Sequence, residues 1–248
     1  PRLRWWLRLA CRDDYGQPPA RVSAWYGLHY FAARVPKVGK RSAPFLTWSQ
    51  GNRFLIDRLA DGLKGRLRLG YVVRSVRPTA DGVVVEADTA DARHVFRADR
   101  VVFALPSFLR QHLLPAEFAG TWTADPNPWL VANLHLKARP REPAFPLAWD
   151  NVLYEGRGLG YVVATHQTPW SRGPTVWTHY LPYDEVPPKE ARKKLSKLSW
   201  SQAARDIAEE FGRAHPDLHE LVTRIDIRRY GHAMASPRVG TRFSAERA

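Results

Sequence analysis

The stretch Leu46–Pro106, LTWSQGNRFLIDRLADGLKGRLRLGYVVRSVRPTADGVVVEADTADARHVFRADRVVFALP, decides the fold. Gly51-Asn52 marks a helix start, and Phe54, Leu55, Leu59 and Leu63 follow at helical spacing. Strands are expected at Arg66–Leu69, Val72–Arg77, Val83–Ala87 and His94–Phe96, with Asp81-Gly82 as the turn between two of them. The last run, Arg100–Leu105, is apolar almost throughout, which predicts a strand buried on both faces beside parallel neighbours. It ends at Pro106, and open α/β sheets meet their ligands at the carboxyl ends of such strands.

Upstream, residues 2–12 read as an amphipathic helix ended by the turn-prone Asp13-Asp14-Tyr15-Gly16. Ser23 then precedes a second helix whose Ala24, Trp25, Leu28, Phe31 and Ala32 give it an aromatic face. Two helices packed ring on ring is the simpler account, with Tyr15, Trp25 or His29 lining a pocket as the alternative. Downstream, a short helix over Ser107–Leu114 and a loop over Ala116–Pro128 lead to strands at Trp129–Lys137, Leu147–Tyr154, Tyr161–His166 and Val176–Leu181. Gly156-Arg157-Gly158-Leu159-Gly160 imitates a phosphate-binding fingerprint, but strand follows it where such a loop must feed a helix. It reads as a hairpin turn. Residues 188–213 predict one long helix with Leu195, Leu198, Ala203, Ile207 and Phe211 inward, before a strand over Leu221–Tyr230.

Composition narrows the function. The chain has 248 residues, 44% hydrophobic, enough for a real core. Its single cysteine, Cys11, excludes an internal disulfide and a cysteine-cluster metal site, and is expected to be buried and inert. The net charge of +14 invites a nucleic-acid reading, but the arginines are scattered and the one dense run, Lys189–Lys194, opens a helix as a solvated face. No DNA- or RNA-binding spacing accompanies it, so nucleic acid is not the expected partner. His215 and His219 stand at i and i+4, yet Pro216 lies between them and a third ligand is lacking, so no metal is expected. Asp13-Asp14 and Glu209-Glu210 suit a turn and a helix end, and no Gly-x-Ser-x-Gly occurs. No apolar run reaches the roughly 20 residues of a membrane span. The chain begins at Pro1 rather than Met, so an N-terminal segment is expected to be missing, which leaves location open.

The order of elements over Leu46–Pro106 resembles the central part of the flavin-containing amine oxidase family: Gly51, Leu55 and Leu59 in the helix, Val73 and Val76 in a V-x-x-V strand, and Ala104-Leu105-Pro106 at the exit. The resemblance implies an α/β fold, α+β mixed, of two interleaved domains of the FAD/NAD(P)-binding flavoprotein type. The expected division gives 1–44 as substrate-side helices, 45–116 as a partial FAD domain, 117–225 as a mixed-sheet substrate domain, and 226–248 as the return. It implies FAD as cofactor, with Val73, Ala104 and Pro106 beside it, and a small-molecule substrate whose hydride passes to the flavin. Aligning Pro128–Leu134 with the strand that carries the family's lysine puts Asn133 at that position; asparagine can hold a water but carries no charge. Tyr230 and His232 would line the substrate pocket.

The dinucleotide fingerprint and the C-terminal flavin motif of such enzymes have no counterpart here. The fold is therefore expected to be incomplete, and the 248 residues alone are expected neither to turn over nor to hold FAD. The alternatives are a basic module that grips a polyanion, or a non-catalytic remnant on a partial flavoprotein fold. Substrate, electron acceptor and oligomeric state stay open at this point.

Overall fold

The chain runs through helices α1 (Arg2–Tyr15), α2 (Ala24–Arg34) and α3 (Arg53–Asp61) before its first sheet, β1 (Val72–Thr79), β2 (Gly82–Asp88) and β3 (Arg93–Ala98). Short helices α4 (Arg110–Leu113) and α5 (Ala116–Ala119) lead to β4 (Asn127–Leu136), β5 (Asp150–Asn151), β6 (Tyr161–Val163) and β7 (Thr175–Pro182). Helices α6 (Pro188–Lys197), α7 (Trp200–Gly212) and α8 (Leu218–Leu221) precede the last strand, β8 (Val222–Met234). These assignments come from a computed structural model that describes residues 1–35, 46–63, 65–120, 126–142, 146–168 and 172–240. Two compact units result, Pro1–Gly51 with Asp125–Arg247, and Asn52–Ala124.

The smaller unit is built on an antiparallel meander, β1-β2-β3. Thr79 pairs with Gly82, so the hairpin turns through Ala80-Asp81, one residue before the Asp81-Gly82 turn expected, and Gly82 opens β2. Val76, Val84 and Ala87 form its buried centre. Tyr71 packs on His94 and Phe96 with centroids 5.0 and 5.6 Å away. A bulge between Val73 and Ser75 leaves Arg74 unpaired in the β1–β2 register and locally bends the strand.

Two expectations fail in this unit. Arg66–Leu69 forms no strand, and neither does Arg100–Leu105, whose Val102 is 90% exposed. Apolar content alone cannot make a strand: its N–H and C=O groups need a neighbouring ladder, and none among the described residues pairs with either run. Helix α3 forms as read, yet Leu55, Ile56, Leu59 and Leu63 are exposed.

The larger unit holds a five-stranded sheet of order β5-β6-β7-β4-β8. The substrate sheet expected to be mixed is antiparallel in every pairing. Along β4 the even positions Leu130, Ala132, Leu134 and Leu136 are buried, while Val131, Asn133 and His135 are only half-buried. That alternation gives one face to a core and leaves the half-buried side chains on the other. On the core face Tyr161 stacks on Trp177 at 4.3 Å, and Ala203, Ile207 and Phe211 of α7 pack over them with Leu195 of α6. Stacked aromatic pairs of this kind add ~0.5–1.5 kcal/mol beyond their area burial.

The single helix expected over 188–213 is two. Leu198 is extended, and Ser199 caps α7 by accepting the Gln202 N–H at 3.2 Å. Such a cap contributes ~1 kcal/mol, which favours restarting the helix over continuing it. The strand expected over Leu147–Tyr154 shrinks to Asp150–Asn151, and Tyr161–His166 gives way to a 3-10 turn after Val163. Within the stretch expected to loop, Ala116–Ala119 is helical and Asn127-Pro128 already belongs to β4; residues 121–125 lie outside the described set. Helix α1 runs on through Asp13 and Asp14 to the left-handed Gly16, φ 63°. A Cβ there would meet Trp129, Asn127 and Met234, so glycine serves both the helix end and the close approach. Strand β8 runs unbroken to Met234, so residues 226–234 group with this unit, whereas the sequence reading put them with the 45–116 segment.

Candidate functional site

The open face of the five-stranded sheet gathers the polar side chains that the core face excludes. One row crosses all five strands in register: Asp150, Val162, Thr178, Asn133 and Asp226. Residues opposite each other in an antiparallel ladder point to the same side, so this row is a continuous strip. At its centre the Thr178 hydroxyl donates to Asn133 Oδ1 at 2.8 Å. That bond turns the Asn133 amide, whose Nδ2 has no partner among the described residues, into an oriented donor.

Towards β8 the row continues into a charged cluster. Asp226 Oδ2 lies 2.9 Å from His135 Nε2, and its Oδ1 accepts from Arg224 Nε at 2.7 Å. The Arg224 hydrogen bond leads in holding the Asp226 carboxyl below the usual carboxylate range, with His135 adding to it. At the other end stand Tyr180, Asp150 and, from the last turn of α1, Asp13. Burial is the main cause that raises the Asp13 pKa, followed by the charges of Asp14 and Asp150. Burial likewise raises Asp150 and Tyr180, the latter helped by both carboxylates. Two acids and a phenol that disfavour each other's negative charge make a place where a cation is welcome.

Behind the row, the Gly156–Gly160 turn links β5 to β6 as a hairpin connection, with no helix after it. Gly158 lies against the His179 ring, and any Cβ there would collide with it. His179 is fully buried, with Nδ1 bonded to the Gly160 carbonyl at 3.0 Å. Its pKa is lowered, chiefly by desolvation, so it is a neutral packing residue. His215, read at the sequence level beside His219, instead bonds Tyr161 Oη at 2.6 Å. His219 Nδ1 lies 2.9 Å from the Pro216 carbonyl. Among the described residues no His, Cys, Asp and Glu group is arranged to hold a metal, and no helix is long and apolar enough to cross a membrane. Cys11 is buried, and burial raises its thiol pKa.

The sequence-predicted residues fall into three places. Asn133 sits mid-face, as above. Tyr230 pairs with Trp129 on the same face but half exposed, two ladder rows from Asn133, with His232 two residues further along β8 and also exposed. At ~3.3 Å per residue those rows put Tyr230 ~13 Å from Asn133 along the strand direction, so the two do not meet. Val73, Ala104 and Pro106 belong to the smaller unit: Val73 half-buried on β1, Ala104 and Pro106 in the irregular run after β3. Thr178, Tyr180, Asp13, Asp150 and the His135–Asp226 pair went unread. The alternation along β4 could have revealed His135 beside Asn133; the cross-strand partners could not be found without the register.

Comparison with known proteins follows the same outline. Residues 25–130 match the model of the family described as flavin containing amine oxidoreductase. The chain superposes on putrescine oxidase, solved with putrescine bound, with TM-score 0.58 and 16% identity, over 78% of this chain and 44% of that one. It superposes on cyclohexylamine oxidase from Brevibacterium oxydans IH-35A with TM-score 0.59 and 11% identity, over 98% of this chain and 55% of that one. The chain thus spans about half the length of these enzymes, and at such identity the likeness is one of fold. No curated protein matches it in sequence.

The matched family is described as flavin containing, and the smaller unit can be tested for fit to a flavin nucleotide. Strand β1 is an edge of its sheet, so alternate residues turn N–H and C=O away from β2. Ser75 Oγ, beside the bulge that follows Val73, is buried without a partner. An exposed backbone edge suits a flat, hydrogen-bonding ring system such as adenine. The turn that feeds α3 holds a single glycine, the left-handed Gly51, short of the Gly-x-Gly-x-x-Gly spacing of a pyrophosphate loop.

Proposed function

We propose that this chain carries part of an FAD-dependent oxidoreductase of the amine oxidase type, acting on a small amine. The family match over 25–130 carries the reading, since it takes in Val73, Ala104 and Pro106 and ends on the strand that bears Asn133. Val73, Ala104 and Pro106 would hold the adenosine end of FAD. When bound, the flavin supplies the two-electron acceptor for hydride from the substrate carbon beside nitrogen.

The chain's own residues do the rest. Asn133, steadied by Thr178, offers its amide N–H to a water or to an acceptor on the ligand. It cannot take a proton, so it positions without acting as a base. Asp13 and Asp150 would draw an ammonium group to the Tyr180 end of the strip, and Tyr230 and His232 would border the entrance.

Amide shift mapping on the full chain tests the cofactor half of this reading. Titration with AMP should move the resonances of Val73–Ser75 and Ala104, and riboflavin, which lacks the adenosine, should not. Shifts from riboflavin alone, or from AMP only at other residues, would overturn it.

A further inference from the structure

The geometry points to a second binding site, a cleft for a small zwitterion of the α-amino acid class, walled by α1 and by the turns at 155–157 and 184–185. It stands apart from the proposed oxidase function. A cavity of about 270 Å³ opens there, lined by Trp5, Arg8 and Arg12 on one side and Glu155, Arg157 and Glu185 on the other. All of them belong to the larger unit.

The floor is a buried ion pair. Arg12 Nε donates to Asp184 Oδ2 at 2.9 Å, and Arg12 Nη2 donates to the Arg157 carbonyl at 2.8 Å. The two side chains are only 9% and 1% exposed. Arg12 Nη1 has no partner among the described residues and is not sealed from solvent, so a guanidinium held from two sides keeps donors for the cavity it lines. Fixed donors on a rigid cation bind a carboxylate at little ordering cost. Arg8, one turn earlier on α1, adds a positive charge at the rim.

The facing wall carries the opposite sign. Glu155 and Glu185 line the rim with no ion pair among the described residues. Glu155 is the one described non-glycine residue with positive φ, 57°. That conformation is unfavourable for a glutamate and next to costless for glycine, and strain of this kind persists where the side chain is needed. A carboxylate hook opposite two free glutamates excludes a polyanion and suits a ligand with both charges. The volume, at the small end of ligand pockets, admits one amino acid and no nucleotide.

Calorimetric titration of the full chain with L-leucine, 4-methylpentanoate and 3-methylbutylamine tests this. L-Leucine should bind saturably, and each half-ligand about tenfold more weakly or worse. Arg8→Gln should weaken L-leucine and the carboxylate while sparing the amine; Glu185→Gln should weaken L-leucine and the amine while sparing the carboxylate. Both positions are exposed, so circular dichroism should be unchanged in each. Absence of saturable L-leucine binding at millimolar concentration, equal binding of either half-ligand, or unchanged affinity in both variants would overturn the proposal.

Discussion

Thr178 and Asn133 face each other across β7 and β4, the hydroxyl donating to the amide oxygen at 2.8 Å. The bond fixes which end of the amide faces outward. In a longer, flavin-loaded protein that carries this chain, Thr178→Val should slow flavin reduction by ~2–10-fold, the worth of one net hydrogen bond, and Asn133→Ala should slow it further. Both residues are half-buried, so thermal midpoints should move little. Stopped-flow rates equal to those of the parent protein would remove Asn133 from the site.

Gly158 and Gly212 offer a matched pair. A methyl at 158 would land on the buried His179 ring, whereas a Cβ at 212, in the last position of α7, meets nothing within 4 Å. Gly158→Ala should lose ~1–3 kcal/mol by overpacking. Gly212→Ala should gain ~0.4–1 kcal/mol by stiffening the unfolded chain. Urea midpoints of the two variants should bracket that of the parent.

His179 and His215 set one arm of the pH response. Both folded-state pKa values are lowered, with burial as the leading cause. The unfolded chain then binds protons that the folded chain refuses, so stability falls as pH drops below about 6.5. Urea midpoints should decline between pH 7.5 and 5, and less steeply in His215→Gln. A flat profile would mean that one of the rings is charged in the folded state.

Asp13 and Asp150 act with the opposite sign. Their folded pKa values are raised, so their charge costs stability at neutral pH and the cost fades as pH falls through those values. Asp13→Asn should therefore raise the thermal midpoint at pH 7.5, with no gain at pH 3. It should also weaken binding of a simple alkylammonium ion. A variant less stable at pH 7.5 would show that Asp13 has a stabilising partner.

Gel filtration of the 248 residues after incubation with FAD should leave the protein peak without flavin absorbance, since the sequence contains no Gly-x-Gly-x-x-Gly loop to hold a pyrophosphate. A yellow peak would contradict this.

How much of this could be read beforehand varies with the kind of signal. The meander was legible because Asp81-Gly82 and the valine-rich runs speak locally, and the core of α7 because Ala203, Ile207 and Phe211 keep helical period. Arg100–Leu105 was misread because an apolar run shows that partners are wanted without showing that they are present. The break at Ser199 was lost inside a continuous apolar stripe, a competition between cap and pattern that periodicity does not weigh. Asn133 was singled out through family resemblance; Thr178, Tyr180 and Asp150 became visible only once strand register brought them to its side.

The alternation of β4 has a further bearing on how such a protein can change. Odd-numbered positions carry the polar strip and even-numbered ones anchor the aromatic stack, so replacements at Val131, Asn133 or His135 can alter what the face recognises while the foundation beneath stays intact. Parity along a single strand thereby separates the freedom to acquire new specificity from the obligation to stay folded.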